Sequence, residues 1–211
     1  MIEYLDISGC SKIANLPDLG NMKSLKYLFL GETAIKELPS STTHLKNIRR
    51  VSFKGCQLSS SSLTSMPRCG EIDLSDCKLS AIPSGIDHNF SAMPRGIDHL
   101  ITAELFLRGN DFISLPESIS QFSRPTHLYL DGCKSLRSLS NIQMPSTVEF
   151  ICVDNCTSLE RLPEGREPLP NDYGRSDFRV QCFNCFKLAE NFQNFSNIFQ
   201  VSLSLITTCV F

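Results

Sequence analysis

The sequence predicts a repeat solenoid, in which short parallel strands stack into one curved sheet. Two observations predict it: a nine-residue frame, apolar at its fourth and sixth positions, occurs seven times, and it recurs at nearly constant spacing. Such self-similarity is typical of folds in which each repeat packs only on its neighbours. The intervals are 23, 23, 21, 33, 23 and 23 residues, since the fourth position falls at Leu5, Leu28, Val51, Ile72, Leu105, Leu128 and Ile151.

Each frame predicts one short strand with one buried face, because apolar and variable residues alternate through it. After the strand, most repeats reach a second apolar pair that ends in Leu-Pro or Ile-Pro, as at Leu16-Pro17 and Leu38-Pro39. Proline fixes φ and lacks an N–H group, so we expect an irregular or 3₁₀ return segment rather than an α-helix. Together these features predict a leucine-rich repeat horseshoe of about seven repeats, with a concave parallel sheet and convex turns.

The single interval of 33 residues contains a tandem duplication. Ala-x-Pro-x-Gly-Ile-Asp-His runs from Ala81 to His88 and recurs from Ala92 to His99, eleven residues later. Subtracting eleven leaves 22, the ordinary spacing, so we interpret the copy as an insertion in a connection, where added length costs little. A metal site remains the weaker alternative, built from Asp87, His88, Asp98 and His99.

The ninth frame position carries cysteine in five of the seven repeats and asparagine in one. The chain turns inward here, so we expect a buried structural ladder in which cysteine acts as a small apolar residue with a weak S–H donor. Its members are Cys10, Cys56, Cys77, Asn110, Cys133 and Cys156. Packing then explains five of the ten cysteines, and a reducing, intracellular compartment fits better than a disulfide framework.

Strand residues that flank the buried leucines point to the opposite, concave face of the sheet. They form two aromatic patches separated by a basic row and an acidic row, and exposed aromatic and arginine side chains are enriched at protein–protein hot spots. We therefore predict that this face binds a protein, the alternative being that the side chains are solvated or packed on each other. The candidate contact residues are Tyr4, Tyr27, Phe29, Arg50, Lys54, Glu71, Asp73, Phe106, Arg108, His127, Tyr129 and Phe150.

Composition and motifs argue against other function classes. A net charge of −2 gives no footprint for nucleic acid or acidic lipid, and we find no signal peptide and no membrane-spanning stretch. Catalytic motifs are absent, so we expect neither an enzyme nor a cofactor. Cys182 and Cys185 form C-x-x-C, but too few ligands follow for zinc. We expect Phe183, Cys185, Phe186 and Leu188 to be packing residues.

The repeat phrases resemble those of plant intracellular immune receptors of the TIR–nucleotide-binding–leucine-rich-repeat class. Matching phrases are LDISGCSKIANLPDL, LGETAIKELPSS, LRGNDFISLPESIS, LYLDGCKSLRSLS and VDNCTSLERLP. VQCFNCFKL, residues 180–188, is similar to the motif that opens the region after the repeats in that class. The resemblance implies a solenoid over residues 1–163, a linker over 164–178 and a truncated start of the following β-rich domain over 179–211.

The resemblance also implies a function: sensing a pathogen effector or a guarded host protein, in the cytoplasm or nucleus, and restraining the nucleotide-binding domain of the same receptor. The sequence contains neither a TIR domain nor a phosphate loop, so the nucleotide chemistry of that class is not carried over. Two alternatives stay open. One is a stand-alone adaptor or decoy that binds host proteins without signalling, and the other, weaker one is an extracellular inhibitor of the same fold.

Overall fold

The computed structural model describes residues 2–59, 66–79, 103–115, 125–140, 144, 147–163 and 178–190. Over these residues the chain forms one parallel sheet of eight strands that lie side by side in chain order. This is the solenoid that the recurring frame predicts, so the fold class is confirmed. The strands are Tyr4–Asp6 (β1), Tyr27–Phe29 (β2), Arg50–Ser52 (β3), Glu71–Asp73 (β4), Ala103–Phe106 (β5), Pro125–Tyr129 (β6), Phe150–Cys152 (β7) and Arg179–Gln181 (β8).

The frame sets the register of the sheet. The fourth frame residue of each repeat pairs with the fourth residue of the next, as Leu5 does with Leu28 and Leu28 with Val51. The fourth and sixth residues point into the core, where Leu28 and Leu30 are both fully buried. Leu5 and Ile7 are only half-buried, because β1 is the first strand of the sheet and has a neighbour on one side. The core is therefore a column of apolar layers behind the sheet.

The convex side is built from turns and short elements, as the proline-containing returns predict. A 3₁₀ helix spans Ser40–His44 directly after Pro39, which takes an extended conformation. Farther along, neighbouring returns are joined by isolated parallel bridges that link Ser114 to Ser138 and Ser138 to Arg161. Each return therefore packs on the next one, in the same order as the strands.

A left-handed residue follows every strand. The eighth frame residue has a φ between 57° and 78° in all eight repeats of the described part: Gly9, Glu32, Gly55, Asp76, Gly109, Gly132, Asn155 and Asn184. Glycine takes this conformation without steric cost, and asparagine and aspartate take it more readily than other residues. The turn that results brings the ninth residue of each repeat back toward the core.

The strand β8 extends the sheet beyond the seven frames found in the sequence. It pairs in parallel with β7, and Val180 lies opposite Ile151. When the frame is aligned on Val180, Cys182 falls at the sixth position and Cys185 at the ninth. The interval of 29 residues from Ile151 and the absence of leucine from this frame concealed the repeat in the sequence.

A short helix, α1 (Phe186–Glu190), follows β8. Of the four residues expected to pack here, Cys185 and Leu188 are buried. The packing prediction is wrong for Phe183 and Phe186, which are 37% and 64% exposed. Phe183 occupies the seventh frame position, which lies past the end of the strand and carries exposed lysine or arginine in two other repeats.

Several expectations concern residues outside the described part. These are the duplicated stretch 81–100 with Asp87, His88, Asp98 and His99, residues 164–177 of the expected linker, and residues 191–211. Within the described part, no group of three or more His, Cys, Asp or Glu side chains is placed to hold a metal ion. No helix in the same part of the chain is long and apolar enough to cross a membrane.

Candidate functional site

Two rows of side chains run across the concave face of the sheet, one from the third and one from the fifth frame position. Neighbouring strands lie about 4.8 Å apart, so consecutive members of a row are close enough to touch. The first row is Tyr4, Tyr27, Arg50, Glu71, Glu104, His127, Phe150 and Arg179. The second row is Asp6, Phe29, Ser52, Asp73, Phe106, Tyr129, Cys152 and Gln181.

All twelve candidate contact residues lie on this surface. Ten belong to the two rows, and Lys54 and Arg108 occupy the seventh frame position at the carboxyl ends of β3 and β5. Two members of the rows, Ser52 and Cys152, are small and are covered by their larger neighbours, being 7% and 6% exposed. The larger side chains therefore dominate what a partner could reach.

The first aromatic patch lies on β1 and β2. The ring of Tyr4 lies 6.2 Å from the ring of Tyr27 and 5.3 Å from the ring of Phe29, centroid to centroid, and both pairs are tilted. Tilted rings at these separations attract one another. Tyr4 is 57% exposed, because it is on the first strand of the sheet.

The second aromatic patch lies on β5, β6 and β7. Phe106 stacks on Tyr129 with centroids 4.6 Å apart and planes within 6°. Phe150 lies 5.9 Å from Tyr129, edge to face, and 5.7 Å from His127. Burial raises the pKa of the Tyr129 hydroxyl and the nearby Glu104 carboxylate raises it further, so this group stays neutral at physiological pH.

Arg50 joins the two patches. Its guanidinium carbon lies 5.7 Å from the ring centroid of Phe29 on one side and 5.6 Å from that of Phe106 on the other. Arg108, which directly follows Leu107 after β5, also lies between two rings. Its guanidinium carbon is 5.2 Å from the ring centroid of Phe106 and 4.7 Å from that of Tyr129. These distances lie within the range of cation–π attraction. Arg50, which belongs to the basic row predicted to lie between the patches, thus contacts both of them.

We call the resulting continuous surface the aromatic–arginine band. It runs from β1 to β7 without interruption, because Arg50 reaches across the shorter side chains of β4. Each arginine is also held by a carboxylate: Arg50 by Glu71 at 3.2 Å and Arg108 by Asp131 at 2.8 Å. The band consists of Tyr4, Tyr27, Phe29, Arg50, Phe106, Arg108, His127, Tyr129 and Phe150.

The basic and acidic rows neutralise each other in part. Besides the pair of Arg50 and Glu71, Lys54 lies 3.8 Å from Asp76. Exposed pairs of this kind contribute about 0–1 kcal/mol. Burial raises the pKa of Glu71 and so does the adjacent Glu104 carboxylate, while Arg50 opposes both. The rings, rather than net charge, therefore distinguish this face.

The ladder behind the sheet ties each repeat to the one before it. At the ninth frame position, a cysteine Sγ donates to the backbone carbonyl of the sixth frame residue in the preceding repeat. The five S···O distances are 3.0–3.3 Å, for Cys56 with Leu30, Cys77 with Phe53, Cys133 with Leu107, Cys156 with Leu130 and Cys185 with Val153. All nine cysteines in the described part are free, and burial raises the pKa of Cys77 and Cys133 to about 12, so these thiols stay protonated donors.

Two ladder members were not predicted from the sequence, and one predicted member, Cys10, is exposed. Thr33 occupies the ninth position of the second repeat, is 7% exposed and donates its Oγ1–H to the Leu30 carbonyl at 2.7 Å. Cys185 belongs to the repeat of β8. A search for any small polar residue at the ninth position, rather than for cysteine and asparagine, finds Thr33. Cys10 is exposed and not buried as expected, because no strand of the described part lies beyond β1.

Comparisons with known proteins find similar sequences in plants. The chain is 31% identical to "Disease resistance-like protein DSC1" of Arabidopsis thaliana over 201 residues, which cover 91% of this chain and 15% of that protein. It is 28% identical to "Disease resistance protein RPS4B" of the same plant, over 98% of this chain and 18% of that protein. The chain thus spans less than a fifth of the length of either relative. No protein-family model matches the chain.

Among solved structures, the chain is similar to the leucine-rich repeat domain of the type III effector XCV3220 (XopL). The TM-score is 0.56 at 19% sequence identity, over 77% of this chain and 55% of that one. At this level of identity the likeness shows the fold alone. Repeat folds of this kind present an extended concave surface.

Proposed function

We propose that this chain, a leucine-rich repeat homologue of plant disease resistance proteins, is the protein-recognition region of an intracellular immune receptor. In this role the concave face senses a pathogen effector or a guarded host protein, in the cytoplasm or nucleus. The same region restrains the nucleotide-binding domain of its receptor until the ligand binds. Binding energy that differs between two receptor states then drives signalling, without a chemical step in this region.

The aromatic–arginine band is the observation that supports the proposal. Tyrosine and arginine are enriched among residues that dominate binding energy. Each ring and each guanidinium group of the band is held by its neighbours, so a partner that docks immobilises little that is free beforehand. Both arginines remain accessible beside the rings, with side chains 38% exposed for Arg50 and 44% for Arg108. An open, curved sheet face suits a folded protein better than a small molecule, which needs an enclosing pocket.

The experiment begins with a two-hybrid screen that uses the 211-residue chain as bait against plant proteins and secreted pathogen proteins. The affinity of the purified pair is then measured by isothermal titration calorimetry for the natural chain and for Phe106→Ala/Tyr129→Ala. We expect the Kd to rise well over tenfold, since truncation of hot-spot residues costs about 2 kcal/mol or more. Loss of the two rings also removes both ring partners of Arg108 and one of the two ring partners of Arg50.

Ile113→Ala serves as the control, since Ile113 is 61% exposed and lies outside the band. We expect it to leave the Kd within about twofold, as substitutions away from the centre of an interface do. Thermal unfolding of each variant shows whether the fold is retained. An unchanged Kd for the folded double variant, or an equal loss in Ile113→Ala, would refute the role of the band.

Restraint has a test of its own, because coupling between two sites is reciprocal. The receptor's nucleotide-binding domain, expressed separately, should bind this chain more weakly once the concave-face partner is bound. Competition measured by biolayer interferometry reports this change. Equal affinity with and without the partner would contradict restraint while leaving recognition intact.

A further inference from the structure

A second surface, away from the band, carries positive charge. It is the rim formed by the residues that precede β2, β3 and β4, and we define this basic rim by four exposed cations: Lys23, Lys46, Arg49 and Arg68. Lys23 and Lys46 each stand five residues before the fourth frame residue of their repeats, and Arg68 stands four residues before it. The same approach to the strand therefore carries a cation in three consecutive repeats.

Backbone contacts stack these approaches on one another. The Asn47 side chain donates its Nδ2–H to the Lys23 carbonyl at 2.6 Å, which joins the approaches to β2 and β3. The Gly70 N–H donates to the Arg49 carbonyl at 3.0 Å, which joins those to β3 and β4. Three neighbouring strands span about 10 Å, so the four cations share one continuous edge of the molecule.

The cations of the rim differ in pairing from those of the concave face. There, each of the cations Arg50, Lys54 and Arg108 has a carboxylate within 4 Å. By contrast, neither lysine of the rim nor Arg68 has an ion-pair partner among the described residues. Their charge is therefore available to a partner.

Glu3, a carboxylate that interacts with Arg49 of the rim, is already engaged. Glu3 accepts a hydrogen bond from the Lys26 Nζ at 2.8 Å. Lys26 holds the pKa of Glu3 below its usual value, and Arg49 lowers it further from a greater distance. Glu3 thus neutralises Lys26, a neighbour of the rim, while the described residues show no ion pair for Lys23, Lys46 or Arg68.

We propose that the basic rim is a docking surface for an acidic segment of a protein, separate from the concave face. Unpaired cations on one edge attract carboxylates over about 8 Å at physiological ionic strength. Complementary charge of this kind speeds encounter and fixes the orientation of a partner. The net charge of −2 over the whole chain gives no general attraction for large polyanions such as DNA and anionic membranes, whereas a short acidic segment would meet only the rim.

The test uses the complete chain and a fluorescein-labelled decaglutamate peptide, with fluorescence anisotropy as the readout. Lys23→Glu/Lys46→Glu reverses two charges of the rim, and Lys12→Glu/Lys134→Glu is the matched control, because both of its lysines are exposed residues that follow their strands. We expect the rim variant to raise the Kd about tenfold or more and the control to stay within about twofold. The natural chain should bind more weakly at about 300 mM than at about 50 mM NaCl.

A second rim variant, Arg49→Glu/Arg68→Glu, keeps the test decisive if the first variant unfolds, and it should weaken binding to a similar extent. Equal weakening in the control variant would overturn the proposal. So would tighter binding of a DNA duplex or of phosphatidylserine vesicles than of decaglutamate. Phe106→Ala/Tyr129→Ala should leave decaglutamate binding unchanged, which separates failure of the rim from failure of the concave face.

Discussion

Replacing Asn110 with alanine should destabilise the chain more than the same change at a ladder cysteine. The Asn110 side chain is 1% exposed and makes three hydrogen bonds of 2.9 Å. Its Nδ2 group donates to the carbonyls of Leu74 and Leu107, and its Oδ1 accepts from the Leu79 N–H. Asn110 thus links Leu74 and Leu79 of the preceding repeat to its own repeat.

The expected loss of stability follows from which polar groups lose their hydrogen-bond partners. In Asn110→Ala the Leu74 carbonyl and the Leu79 N–H lose this side chain, whereas the Leu107 carbonyl keeps the Cys133 thiol at 3.3 Å. A buried polar group left without a partner costs about 1–3 kcal/mol, so two of them cost about 2–6 kcal/mol. In Cys133→Ala the Leu107 carbonyl keeps the amide of Asn110 at 2.9 Å, and we expect a loss of about 1 kcal/mol, mainly from packing.

Urea unfolding followed by circular dichroism measures both variants, with stability read from the midpoint at a constant m-value. Asn110→Cys should fall between them, because a thiol can donate to the Leu74 carbonyl but offers only a weak acceptor to the Leu79 N–H. If Asn110→Ala lies within about 0.5 kcal/mol of Cys133→Ala, the proposed role of the ladder is refuted.

Three further predictions concern the thiols and the turns. Stability should fall above pH 9, because burial raises the pKa of Cys77 and Cys133 from 9.0 to about 12. Above pH 9 these thiols lose their protons in the unfolded state but keep them in the folded state. The free energy of unfolding then falls by up to about 1.4 kcal/mol per pH unit for each thiol. A constant urea midpoint from pH ~8 to ~10 would contradict this. Iodoacetamide should label the exposed Cys10 of the folded chain and spare the buried Cys133, and mass spectrometry that found equal labelling would contradict their different burial. Glu32→Gly, at a φ of 58°, should raise the free energy of unfolding by about 1 kcal/mol. Asn155→Gly, at a φ of 59°, should gain less because asparagine tolerates this conformation, and equal gains in urea unfolding would count against the strain at Glu32.

The strand positions and the direction of their side chains could be predicted from the sequence because both depend on local periodicity. Leu28 and Leu30 face the core, and Tyr27 and Phe29 face away, as alternation within the frame requires. Once the frame is aligned on one strand, the parallel register assigns the residues of the remaining strands to the same rows. The concave rows were therefore predictable residue by residue from β1 to β7, whereas the altered interval concealed β8.

The features that could not be predicted from the sequence depend on side-chain length and on frames in which the residue type or the interval is altered. Arg50 is on β3, yet its guanidinium group reaches the ring of Phe106 on β5. Side-chain length and the curvature of the sheet decide that contact, and neither follows from spacing. Thr33 and Cys185 occupy ladder positions in frames where the usual residue or the usual interval is altered. The geometry of the ninth position is kept in both frames, so a search for cysteine or asparagine at the usual interval misses both residues.

Photocrosslinking tests most directly whether a partner binds the concave face at the aromatic–arginine band. A photoreactive benzoylphenylalanine replaces Phe106 in one chain and Ile113, which lies outside the band, in another. With the purified partner present, we expect a covalent adduct from the Phe106 position and none from the Ile113 position. An adduct from the Ile113 position, with none from the Phe106 position, would contradict the claim.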